Sequence, residues 1–297
     1  MDAGCTTLPS IPVAKRRSSL RGRAGSVGGE SITVDGVQLA YDDVGAGPTT
    51  IVCLHAIGHG AGDYRAFAEA MAGEHRVIAL DWPGHGASQA DHRSTSGARY
   101  AELLEGFLDA LGLEHAIVMG NSIGGAAAIE LAARHPARVR ALVLANPGGI
   151  FARSRLSRWV TTLMARFFAA GARGAPWFLR AFSIFCRMVL PALPAQEQRA
   201  RIAASGLEVA PLLRDAWASF SHPSSDLRPL LPTIDVPVLV TWAVRDRFNP
   251  LWANAAAITT FPRATTLRFR AGHAPFLETP DELVAAFRAF VRAHVPS

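Results

Sequence analysis

The stretch from Ala116 to Glu130 reads AIVMGNSIGGAAAIE. Its opening run AIVM is apolar and too short for an independent helix, whereas AAAIELAARH after the glycines holds strong helix formers. Strand, sharp turn and helix therefore follow in order, and Ser122 falls on the turn. Small residues at Gly120 and Gly124 suit such a turn, because a side chain there would collide with the neighbouring strand or hold the helix away from it. Taken alone, G-x-S-x-G also fits an ordinary glycine-rich strand-to-helix turn. The surrounding chain has to decide.

Upstream, the pattern ITVDGVQLAYDDVG alternates apolar and polar residues around Asp35-Gly36, a strong hairpin signal. The continuous apolar run Thr50 to His55 predicts a central parallel strand covered on both faces. A helix is expected over Asp63 to Ala72, a strand over Arg76 to Leu80, and an amphipathic helix over Ser96 to Leu111 with Tyr100, Leu103, Leu104, Phe107, Leu108 and Leu111 on one face. Downstream of the serine turn, Val139 to Leu144 reads as a strand. Alternation of strand and helix implies an α/β fold with a doubly wound, mostly parallel sheet, which places ligands at the carboxyl ends of its strands.

After Asn146-Pro147-Gly148-Gly149 that rhythm stops. Phe151 to about Phe220 reads as helices broken at Gly171, Gly174, Pro176, Pro191, Pro194 and Pro211, an inserted helical cap spanning 150–225. Of its aromatics Trp159, Phe167, Phe168, Trp177, Phe178, Phe182 and Phe185, most are expected to pack the cap on itself and on the sheet, without the sequence saying which. A minority facing the cleft would form an apolar substrate pocket. A membrane-surface helix is a third reading, disfavoured by an insertion in the middle of a parallel sheet. The rhythm resumes at Pro237 to Trp242, continues with a helix from Pro250 and a strand over Thr265 to Phe269, and ends in a helix from Pro280, both prolines suiting the first helical position. The core thus comprises 30–149 and 226–297.

Composition excludes several classes. A hydrophobic content of 49% and a charged content of 18% are ordinary for a globular chain of 297 residues. The net charge of +6 is partly a property of the first 29 residues, where Lys15, Arg16, Arg17, Arg21 and Arg23 cluster in what reads as a disordered basic extension. A transit peptide is the sharper alternative for that segment. Elsewhere the arginines follow no nucleic-acid motif, so no nucleic-acid partner is expected. No apolar run approaches the ~20 residues needed to span a bilayer, so stable membrane insertion is not expected. Cys5, Cys53 and Cys186 are odd in number and far apart, which points to a reducing, cytoplasmic setting with buried thiols at Cys53 and Cys186.

A serine hydroxyl is a poor nucleophile without a base, and the base needs a partner that fixes its tautomer and stabilises its charge. Two loops supply these residue types: Val244-Arg245-Asp246-Arg247-Phe248 after the strand PVLVTW, and Ala271-Gly272-His273-Ala274-Pro275-Phe276-Leu277-Glu278 after TTLRF. Together with GNSIGG they resemble the α/β-hydrolase family, from Ser31 onward except for the cap. The resemblance implies a fold of that kind and the chain order nucleophile, acid, histidine: Ser122, Asp246, His273. Asp215, Asp226 and Asp235 are rivals for the acid, and Asp235 lies at the wrong end of its strand. The loop after Leu144, where some members carry the acid, offers Asn146 and no carboxylate. The family's oxyanion donors map onto the backbone N–H groups of Ile123 and of Ile57 in His55-Ala56-Ile57-Gly58-His59-Gly60, where Ala56 stands in place of the usual glycine. His59 and His85 read as structural, as does the loop Asp81 to Ser88.

Serine in the turn, where aspartate would signal dehalogenase or epoxide-hydrolase chemistry, favours an acyl-serine intermediate. The resemblance therefore implies a hydrolase of a small, apolar ester, lactone or thioester, with no cofactor or metal. Carbon-carbon hydrolases of dienoic ring-fission products share GNSIGG and the TWAVRDRFNP pattern, but HAIGHG lacks their glycine-rich segment. Cofactor-free perhydrolase or haloperoxidase chemistry uses the same three residues. A ligand receptor on the same scaffold is the reading from another class, and a homodimer is left open.

Overall fold

The computed structural model describes residues 29–295. Apart from Gly29, the expected basic extension lies outside the described residues, as does Cys5. Glu30–Val34 (β1) and Val37–Val44 (β2) pair as the expected hairpin. Asp35 and Gly36 take φ angles of 48° and 76°, the left-handed values that a tight two-residue turn demands.

Six further strands follow: Thr50–Leu54 (β3), Arg76–Leu80 (β4), Ala116–Asn121 (β5), Val139–Ala145 (β6), Val238–Ala243 (β7) and Ala264–Phe269 (β8). They form one sheet of order β1-β2-β4-β3-β5-β6-β7-β8, in which β1–β2 and β2–β4 are antiparallel and every later pair is parallel. Successive residues of the central strands pack on opposite faces, as the two-residue period requires. Val52 and Leu54 join one apolar core with Val118, while Ile51 and Cys53 join the other with Ile117 and Met119. Both faces are covered, which is why these strands read as continuous apolar runs.

The helices in chain order are Arg65–Met71 (α1), Gly97–Ala110 (α2), Ile123–Arg134 (α3), Arg155–Ala172 (α4), Phe178–Val189 (α5), Gln196–Ala204 (α6), Gly206–Ser221 (α7), Leu251–Ile258 (α8), Pro275–Glu278 (α9) and Pro280–His294 (α10). Ser96 caps α2 by accepting from the Arg99 N–H at 3.1 Å. The helix expected from Asp63 starts instead as a 3-10 turn, Ala61–Tyr64, before α1. Pro250 sits one residue before α8, whereas Pro280 opens α10 as expected.

Helices α4 to α7 are inserted between β6 and β7. Two of the expected breaks do not occur, since Gly171 lies within the last turn of α4 and Pro211 lies inside α7. Proline there forfeits one backbone hydrogen bond, and the buried face Val209, Ala210, Leu213 and Ala216 holds the helix regardless. Phe168, Phe178 and Phe182 are fully buried, Phe178 stacked on Phe182 and Phe168 edge-on to both, each contributing roughly 1.5–3 kcal/mol through burial. Most of the cap aromatics pack inward as expected, and Trp159 and Trp177, 62% and 52% exposed, are the exceptions. Among the described residues no helix is long and apolar enough to cross a membrane.

Candidate active site

The loops that follow β3, β5, β6, β7 and β8 converge on one cavity. Ser122 occupies the turn between β5 and α3 with φ 54° and ψ −116°, a conformation that a non-glycine residue adopts only when its surroundings enforce it. Those surroundings are backbone bonds: the Ser122 N–H donates to Ala145 O at 3.1 Å, and its carbonyl accepts from Gly148 N at 2.8 Å and Ala126 N at 3.0 Å. The two flanking glycines are sterically obligatory. A Cβ on Gly120 would lie 2.5 Å from the Gly124 carbonyl oxygen, and one on Gly124 would run into the backbone of Leu54.

Asp246 lies in the loop after β7 and is buried. Its Oδ2 accepts from His273 Nδ1 at 2.6 Å and from Asn146 Nδ2 at 2.8 Å, while Oδ1 accepts from the N–H groups of Phe248 and Asn249 at 3.0 and 2.9 Å. Four donors thus hold one carboxylate in a single orientation. Asn146, noted in the sequence only for not being a carboxylate, is the positioning residue that reasoning missed: its Oδ1 also accepts from the Ala243 N–H at 2.9 Å, and its own φ is 45°. Asparagine tolerates the left-handed region better than most residues, which was the available signal.

His273 follows β8. Its N–H donates to Val189 O at 2.8 Å, and its carbonyl accepts from Asn121 Nδ2 at 2.9 Å, so the residue before Ser122 and the end of α5 both fix this loop. Buried Glu278 adds a third anchor, accepting from Gly272 N at 2.8 Å and from Ala192 N at 3.0 Å. Burial alone would lower the His273 pKa, but the Asp246 carboxylate outweighs it and holds the imidazole above its usual range. Ser122 and His273 line the same cavity without a hydrogen bond between them, and such bonds commonly tighten only once substrate is bound.

Ile57 and Ile123 also line the cavity. Among the described residues neither backbone N–H has an acceptor. Ile123 opens α3, where the helix dipole favours negative charge. Alanine at position 56 carries no backbone strain, because the positive φ of this loop, 82°, falls on Gly58. The loop is clamped by two histidines. His55 Nδ1 donates to Ala56 O at 2.7 Å and its Nε2 accepts from the Trp82 N–H at 2.9 Å; His85 Nδ1 donates to Pro83 O and its Nε2 accepts from the Gly58 N–H at 2.9 Å. Both roles need neutral rings. Burial supplies them, pushing His85 down to about 4 and His55 well below its ordinary value. Asp81 accepts from Ala61 N at 2.7 Å, so the loop Asp81 to Ser88 has the structural part expected of it.

His59 keeps a buried contact of the structural kind expected and also borders the cavity. Its Nδ1 lies 2.5 Å from Asp63 Oδ2, while Asp63 also bonds Arg201 from α6. Apart from Asn249 the rest of the wall is apolar: Phe151, Phe182, Phe185, Trp217, Phe220 and Phe248 stand with aliphatic residues and Cys186, and among the described residues no lysine or arginine lines it. Cys53 and Cys186 are both buried, as expected.

The family model described as "alpha/beta hydrolase fold" matches residues 49–280. A protein of Dechloromonas aromatica (strain RCB), named 2-hydroxy-6-oxononadienedioate/2-hydroxy-6-oxononatrienedioate hydrolase 1, is 31% identical over 252 residues, covering 80% of this chain and 84% of that protein. Among solved structures, a thermophilic esterase from Thermogutta terrifontis superposes with a TM-score of 0.76 at 22% identity, over 90% of this chain and 99% of that one. The enol-lactonase from Burkholderia xenovorans LB400 gives 0.74 at 21% identity, over 89% and 100%. The strained serine turn, the eight-stranded order and the family match over most of the described residues agree, and the chain belongs to the α/β-hydrolase fold family.

Proposed function

We propose that this chain is a serine hydrolase of small, neutral, apolar esters, lactones or thioesters. The observation that carries this reading is the cavity wall around Ser122 and His273, with six aromatic side chains and no lysine or arginine. Burying an unpaired carboxylate costs several kcal/mol, so such a wall selects for uncharged substrates.

In this reading His273 Nε2 takes the Ser122 hydroxyl proton as Oγ attacks the carbonyl carbon. Asp246 holds the ring through Nδ1 and stabilises the imidazolium that forms. The N–H groups of Ile57 and Ile123 donate to the developing oxyanion. Collapse expels the alcohol, which leaves with the proton from His273. Water then attacks the acyl-serine, and the same base handles its proton. The inserted segment, residues 150–225, acts as a cap whose inner side chains, Phe182, Phe185, Trp217 and Phe220, receive the acyl or alcohol group. His59, held through Nδ1, offers its other ring nitrogen to a polar atom of the substrate.

Cleavage of a carbon-carbon bond in a dienoic substrate is the second reading, favoured by the name of the Dechloromonas relative. Against it stands the same wall, since a dioate would bring two carboxylates to a cavity without a guanidinium or ammonium. Turnover of 4-nitrophenyl esters of graded acyl length, measured beside a vinylogous diketone dienoate, separates the two. Ester turnover rising with acyl length is expected; turnover of the dienoate alone would overturn the ester reading.

A further inference from the structure

The outer face of the insertion has a composition of its own. On α4, Leu156, Trp159 and Leu163 are 61%, 62% and 48% exposed, and their spacing of three and four residues puts them on one helical face. The opposite face buries Thr161 and Phe168. One turn beyond Leu163, the Phe167 ring meets Trp177 at 5.9 Å, which extends the apolar strip past the end of the helix. Exposed apolar side chains scattered singly need no explanation, but a continuous strip with two tryptophans does.

The charge around this strip is of one sign. From Phe151 to Gln196 the sequence has seven arginines and no Asp or Glu. Arg155 and Arg158 precede Trp159 by four and one residues, and Arg166 follows Leu163 by three, so basic side chains flank the strip. Among the described residues, none of the exposed Arg155, Arg158, Arg166, Arg173, Arg180 and Arg187 has a carboxylate partner.

From this juxtaposition we propose that the α4 face is a docking surface for an anionic lipid bilayer. Leucine and tryptophan enter the interfacial layer while the guanidinium groups engage lipid phosphates, the division of labour of an amphipathic helix lying in the plane of a membrane. A second copy of this chain fits poorly, because a two-fold contact would set unpaired arginines against their own copies. Residues 1–28 fit no better, since they carry five basic side chains and a single acid, Asp2. Phosphate-only ligands leave the leucines without a role.

The test is sedimentation of the full chain with vesicles of phosphatidylcholine alone and of an equimolar phosphatidylcholine–phosphatidylglycerol mixture. Binding to the mixed vesicles is expected, weakened by salt and at least tenfold weaker on phosphatidylcholine alone. Each arginine removed should cost about fivefold in partitioning, so Arg158→Gln with Arg166→Gln should reduce binding by more than tenfold. Leu156→Glu with Leu163→Glu should abolish it. All four substitutions are at exposed positions outside the cavity, and hydrolysis of a short soluble ester serves as the check that the variants fold. Equal binding to both vesicle types, no binding to either, or binding unchanged in the two double variants would overturn the proposal. A lipid-free dimer that Leu156→Glu with Leu163→Glu dissociates would overturn it too, and assign the face to a second copy.

Discussion

The strand-end loops and the helical insertion meet at the same cavity, yet they are held by different forces. The loops are fixed by short buried hydrogen bonds to specific atoms: four donors on Asp246, two backbone anchors on His273, and two neutral histidines behind Ile57. The insertion is held mainly by apolar contact among Phe167, Phe168, Phe178, Phe182 and Phe185, which tolerates changes of shape far more readily. Directional bonds fix the positions of Asp246 and His273, whereas non-directional packing leaves the shape of the cavity wall free to vary. If that contrast holds, substitutions in the loops should act on kcat and those in the inner cap wall on KM.

After Ser122→Ala, the largest effect should come from Asp246→Asn, which keeps the shape of the side chain and removes its charge. A fall in kcat of roughly 10³–10⁴-fold on a 4-nitrophenyl ester is expected, with KM little changed. A loss of only a few-fold would move the acid role elsewhere and break the contrast at its strongest point. Asn146→Ala deletes one hydrogen bond to the same carboxylate and leaves the Ala243 N–H without its acceptor. About tenfold in kcat is expected, from the typical worth of a bond to a charged group. The less stabilised carboxylate should also push the His273 pKa higher, moving the acid limb of the rate profile upward. A merely structural role for Asn146 would leave that limb in place.

On the other side of the comparison, Trp217→Ala shortens the cap wall of the cavity. It should raise KM for long acyl esters by roughly five- to tenfold through lost apolar contact, and leave kcat for acetate esters nearly intact. A matching drop in kcat for short and long esters would show that the insertion also sets the catalytic geometry.

The smallest effects concern pH. Because the His273 pKa lies above the ordinary value of 6.5, kcat/KM should rise with pH through a midpoint above 6.5 as the imidazole loses its proton. In Asp246→Asn the raising influence is gone and burial lowers the pKa, so the midpoint should fall below 6.5. Stability follows the opposite sign for His85, whose folded pKa is depressed. Its contribution is present above 6.5 and lost as pH falls towards about 4, because the unfolded chain binds the proton first. A melting temperature that is flat across that interval would contradict the neutral clamp.

How much of this was legible in the sequence follows the same division. That Ser122, Asp246 and His273 come together could be read because each sits in a short motif at a strand end, and parallel sheets gather such loops at one edge. Gly120 and Gly124 were legible for a steric reason that the structure bears out at both positions. Asn146 was not, since its one local sign, a residue type that suits a left-handed turn, does not say that its side chain bonds Asp246 one hundred residues away. His59 was read only as structural; that its ring also lines the cavity depends on the packing of the insertion. The insertion itself was readable as helical and aromatic. Which aromatics face inward was not, because on α4 both faces carry large apolar side chains, Leu156, Trp159 and Leu163 on one and Phe168 on the other. Trp159 and Trp177 are thus the exposed exceptions among aromatics expected mostly to pack inward. Pro211 shows that tertiary packing can override a local breaker.

The central claim is that Ser122 is a nucleophile activated by His273. Treatment with a fluorophosphonate probe, followed by peptide mapping, tests it most directly. A single adduct on Ser122 is expected, absent in Ser122→Ala and slowed by orders of magnitude in His273→Ala, with ester hydrolysis lost in parallel. Labelling at another residue, or ester hydrolysis by Ser122→Ala at the rate of the unmodified chain, would contradict it.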